Sequence, residues 1–77
     1  MRKMAIFTAA AMTFRKGMII RGLRDCGANS PETAKTLKEA DVINPDGFPE
    51  YTESLVQSGV INKTEDGRYW VAKRQHS

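Results

Sequence analysis

The residues with the widest chemical reach are few and scattered. One cysteine, Cys26, and one histidine, His76, cannot assemble a nitrogen–sulfur zinc cage within a monomer. Cys26 has no suitably placed histidine to activate it, so it reads as a small buried hydrophobe near a helix end. Asp25, Glu39, Asp41 and Asp46 offer oxygen ligands, but they lack the spacing of a calcium loop and read as surface charge. No glycine-rich phosphate loop and no nucleophile–base pair is present. A chain of 77 residues has room for one modest core and little room for a deep, supported cleft. The expectation is therefore a non-enzymatic protein with no metal and no cofactor.

What remains is charge, and it is strongly segregated. Residues 1–24 carry Arg2, Lys3, Arg15, Lys16, Arg21 and Arg24 with no acidic residue. All nine acids lie between residues 25 and 66, against only Lys35, Lys38 and Lys63, and the tail is basic again through Arg68, Lys73 and Arg74. Two chemistries follow. Lys63, Arg68, Lys73 and Arg74, supported by Arg21 and Arg24, are candidates for phosphate contact. Glu50, Tyr51 and Glu53, together with the aromatic residues Trp70, Phe7 and Phe14, are candidates for contact with protein. Each has an ordinary alternative: solvated charge for the ions, and packing on the domain's own core for Trp70.

Three kinds of element must position these side chains. Phe7, Ala11, Phe14, Met18, Ile19, Leu23 and Cys26 share one broad arc at 100° per residue, which predicts an amphipathic helix over about residues 3–26. Arg2, Lys3, Lys16, Arg21 and Arg24 fall opposite; Arg15 is the exception, projecting from the apolar side. Gly27 is placed to stop the helix. Ser30-Pro31-Glu32 is a helix start, which predicts a second helix to about Ala40 burying Ala34 and Leu37. Asn44-Pro45-Asp46-Gly47 predicts a turn. A third helix is expected from Phe48-Pro49-Glu50 to about Ser58, with Leu55 and Val56 inward and Gly59 ending it. Val60–Lys63 and Arg68–Lys73 predict two strands joined through Glu65-Asp66-Gly67, with Tyr69 and Val71 on one face and Arg68 and Trp70 on the other.

Three pieces of this order resemble the winged helix-turn-helix superfamily: Ser30–Leu37, Leu55-Val56-Gln57-Ser58-Gly59-Val60-Ile61, and Asp66-Gly67-Arg68-Tyr69-Trp70-Val71. Together they span a little over half the chain. The resemblance implies a mainly α domain with a small β-hairpin, a three-helix body with a C-terminal two-stranded wing. It makes residues 1–77 a single domain, with a long basic amphipathic helix over 1–27 and helix, helix and wing over 30–73. It also implies nucleic-acid binding of a transcription-regulator type. Two departures count against ordinary DNA reading. The connection from Asp41 to Gly47 is longer than a DNA-reading turn. The third helix offers Pro49, Glu50, Tyr51, Thr52, Glu53 and Ser54, with no arginine or lysine to meet a base edge.

The functional expectation is a duplex DNA contact of low sequence specificity, carried by the basic wing and first helix. The alternative is an adaptor that binds another protein through its acidic third helix and basic first helix. A helix of roughly 35 Å at about 1.5 Å per residue outruns a small body, leaving Phe7, Ala10, Ala11 and Phe14 to be covered by something. A second copy is the expected cover, making a homodimer; a membrane surface is the rival. The short apolar run Met4–Met12 superficially resembles a signal sequence but reads better as the start of the long helix. With its single cysteine, the chain suits a reducing cytoplasm.

Overall fold

The computed structural model describes residues 2–73, with side chains from Met12 onward. It is mainly helical with a small antiparallel hairpin. The order is α1 (Arg2–Asp25), a 3-10 turn (Pro31–Thr33), α2 (Pro49–Gln57), β1 (Asn62–Lys63) and β2 (Tyr69–Trp70). Expectations on the side chain of Phe7 and on Arg74 and His76 lie outside the described residues.

Both helices end through the same device. Gly27 and Gly59 take positive φ of 80° and 84°, a conformation that costs a residue with a Cβ and costs glycine little. At the first, Ala28 N–H donates to Leu23 and Gly27 N–H to Arg24; at the second, Val60 N–H donates to Leu55 and Gly59 N–H to Val56. Each pair satisfies carbonyls that the helix end would otherwise leave open. Both stops agree with the sequence reading.

The expected second helix over Pro31–Ala40 does not form. Thr33 Oγ1 accepts from the Asn29 and Ser30 N–H groups, which ties up the start as a single 3-10 turn. Ala34 then turns extended, with ψ 147°, and Lys35 exchanges two backbone hydrogen bonds with Tyr69 at 2.9 and 2.8 Å. A second start follows at once. Glu39 N–H donates to Thr36 Oγ1 while Thr36 N–H donates to Glu39 Oε1, the reciprocal pattern of a capping box. One turn results, closed by Ala40 N–H on Thr36. Two start signals six residues apart left neither with room for a helix, and the threonine side chains compete for the backbone as they do elsewhere.

The hairpin is shorter than expected. Asn62 pairs with Trp70 and Lys63 with Tyr69, while Thr64 and Gly67 close the turn. Lys35 lies on the far side of Tyr69, and Val71 N–H donates to Ala28. The return run is thus stitched to two earlier parts of the chain. Around it sits the core: Ile19, Leu23, Ala28, Leu37, Ala40, Val42, Leu55, Ile61 and Val71. The expected burial of Ala34, Leu37 and Leu55 is observed, with Thr52 buried beside them.

Candidate interaction surface

α1 carries its burial on a narrower face than its apolar arc suggested. Arg15, Ile19 and Leu23 point inward, a spacing of four residues that drifts only slowly around the helix. Phe14 lies on the opposite half of the helix from Ile19 and Leu23 and is 75% exposed. Arg15, anomalous in the sequence, is 4% exposed. It is not a solvated charge.

Arg15 reaches the connection between the single turn and α2. One terminal nitrogen donates to the Ile43 carbonyl at 2.9 Å, and the other to Asn44 and Gly47 at 3.0 and 3.1 Å. The ring of Phe48 lies 5.2 Å from the guanidinium carbon, within cation–π range. Arg15 Nε is the one buried side-chain polar atom without a hydrogen-bond partner among the described residues. A planar fork with several donors suits this task, because the three carbonyls diverge around one point.

The segment so held is strained. Asp41, Asn44 and Phe48 all take positive φ, at 63°, 52° and 54°, which is uncommon outside glycine and notable for an aromatic. It also presents apolar surface outward: Ile43 is 72% exposed and Phe48 51%. Pro49 and Glu50 continue the same surface into α2, where both are exposed. At the other end, α1 approaches the chain so closely that a Cβ on Gly22 would stand 2.7 Å from the Ala40 carbonyl oxygen. The loop is thus fastened by Arg15 and by the Gly22 contact.

The residues picked for phosphate contact are dispersed. Lys63 pairs with Glu53 at 3.6 Å, from hairpin to α2. Arg68 is held by Glu39 at 2.9 Å and Asp66 at 3.3 Å. Arg21, Arg24 and Lys73 make no ion pair among the described residues; Arg21 and Arg24 lie on α1. Of the twelve basic residues, Arg2, Lys3 and Arg74 fall outside 12–73, so that stretch carries nine cations against nine acids and is formally neutral. Lys63 and Arg68 of the hairpin are each compensated by a carboxylate.

Of the protein-contact candidates, Glu50 and Glu53 are exposed on α2, although Glu53 is engaged with Lys63 and with Gln57 Nε2. Tyr51 and Trp70 are half-buried and pack against the core. Two carboxyls sit below their ordinary range: Glu39, chiefly through the Thr36 N–H, and Asp66, chiefly through the Thr64 hydroxyl. Cys26 Sγ donates to the Leu23 carbonyl at 3.4 Å and is half-buried. The sequence reading missed Ile43 and Phe48. The signal available was Arg15 itself, a cation on an apolar arc facing a Pro/Gly-rich connection.

No described helix is long and apolar enough to cross a membrane. Compared with family models, curated proteins and solved structures, the chain matches none of them.

Proposed function

We propose that the chain is a non-enzymatic interaction module of winged-helix-like architecture that docks onto a second protein through the surface running from Ile43 to Glu50. The succession of long helix, bridged extended residue, single turn, helix and hairpin supports that architecture, with the second helix reduced to one turn. One observation carries the function. A backbone that puts Phe48 at positive φ is held by a buried arginine so as to present Ile43 and Phe48 to solvent. Strain of this kind costs about 1–3 kcal/mol per residue and persists where the surroundings impose it, commonly at binding surfaces. Apolar side chains on a fixed loop, flanked by Glu50, suit a protein segment with apolar residues and a cation.

The test uses the tagged full chain to capture its partner from the cells that express it. Ile43→Ser with Phe48→Ser should lose the captured protein while circular dichroism keeps the helical signal of the parent. Glu50→Lys should weaken the same capture. Retention of the partner by the double serine variant sinks the reading.

A second reading, duplex nucleic acid contact, is favoured by Arg21, Arg24 and Lys73, which make no ion pair among the described residues. The exposed pairs at Lys63 and Arg68 are also weak enough to exchange for phosphate. It requires affinity that falls steeply with salt and drops on Arg68→Ala with Lys73→Ala. A flat titration with no duplex bound at low salt removes it.

A further inference from the structure

α1 has a second apolar face that its own domain covers only in part. Phe14 is exposed, and Met18, one turn further on, is half-buried against the edge of the core. They border a groove of about 560 Å3, lined also by Gly17 and Gly22 and walled by Glu39, Ala40 and Asp41. In the sequence, Met4, Phe7, Ala11, Phe14 and Met18 follow one another at alternating steps of three and four residues. A helix seam with that repeat packs against another helix.

Charge selects the occupant and its direction. Asp25, Glu39 and Asp41 line the groove towards the C-terminal end of α1, with Arg21 among them, and no ion pair holds Asp25 or Asp41 among the described residues. The chain's own first 24 residues carry six cations and no acid. We propose that two copies of this chain pair through their α1 seams in antiparallel orientation, so that the N-terminal half of each helix occupies the groove of the other. This arrangement brings Arg2 and Lys3 of one copy to the acidic end of the other, sets position 7 opposite position 18, and sets 11 opposite 14. It also opposes the helix dipoles. A parallel pair would instead set each cation beside its own copy, Arg2 and Lys3 at one end and Arg21 at the other.

Light scattering on the full chain tests the pairing, with an expected mass of twice 8.6 kDa. Phe14→Asp should halve that mass and leave the helical circular dichroism intact, because Phe14 contributes little to the core. Orientation is read in a Cys26→Ser background. A mixture of Phe7→Cys and Met18→Cys chains should give a disulfide-linked pair on oxidation, while neither variant links to itself. A monomeric parent at its highest soluble concentration overturns the proposal, as does a Phe14→Asp chain that stays dimeric. Self-linking by each cysteine variant alone overturns the antiparallel direction. A monomeric parent that binds vesicles containing phosphatidylglycerol shows a lipid surface as the cover instead.

Discussion

Arg15 and Arg68 perform opposite versions of the same task. Each guanidinium joins distant parts of the chain. Arg15 does so in the interior, on three backbone carbonyls and an aromatic ring, with no ion pair to a carboxylate among the described residues. Arg68 does so at the surface, on two carboxylates, with its side chain 41% exposed. By formal charge Arg68 is the better paired. By physics Arg15 matters more, because solvent and salt screen the exposed pairs while the buried cation loses everything if its acceptors move. The number of opposite charges nearby is a poor guide to which contact holds a fold.

The comparison is broken most directly at Arg15. Arg15→Met keeps the stem's packing and removes three charge-assisted bonds, and should cost on the order of 3 kcal/mol in urea unfolding. Arg15→Lys should recover less than half of that, since one ammonium cannot reach three diverging carbonyls. A loss of stability for Arg15→Met no larger than that of a surface substitution would end the argument for the clamp. The second fastening is next in size. Gly22→Ala pushes a Cβ against the Ala40 carbonyl oxygen and should destabilise by about 1–2 kcal/mol, despite the usual helix gain. Gly17→Ala meets nothing within 4 Å and should gain up to about 1 kcal/mol in the same assay. If both alanines stabilise alike, the close approach at Gly22 is not a fastening.

Smaller effects belong to Arg68. Arg68→Ala should leave the unfolding midpoint within error of the parent, and a clear drop would place the surface pair on a level with the buried one. The smallest expected change is in titration. Glu39 and Asp66 bind protons less readily when folded than their ordinary values of 4.5 and 3.8 imply. Their contribution is therefore complete above those values and is lost as pH falls through the lower, folded ones. Because the Thr64 hydroxyl is the leading cause for Asp66, Thr64→Val should raise its pKa further than Arg68→Ala does, as read by NMR titration. The reverse order would give the guanidinium the larger share.

Much of the fold was legible because it rests on local chemistry. The long helix, the Pro49 start of α2, both glycine stops and the hairpin turn follow from signals within a few residues of one another. The segment from Pro31 to Ala40 misled because two valid starts, at Ser30 and Thr36, compete. Periodicity cannot reveal that the extended residue between them pairs with Tyr69. The site was less legible still. Lys63 and Arg68 looked like free cations until folding brought Glu53 and Glu39 to them. Phe48 looked like the start of a helix, and Ile43 carried no signal of its own. Only the three-dimensional meeting of Arg15 with their backbone makes them a presented surface.

The Lys35–Tyr69 bridge has a kinetic consequence. The hairpin and both helices form from neighbours in sequence, whereas this bridge and the Val71–Ala28 bond join residues far apart along the chain. Closing long loops is entropically expensive before any packing rewards it. The two joints should therefore form after the rate-limiting step of folding. Weakening them should leave the refolding rate nearly unchanged and speed unfolding, which makes this pair of strand-like contacts the latch that sets the lifetime of the native state.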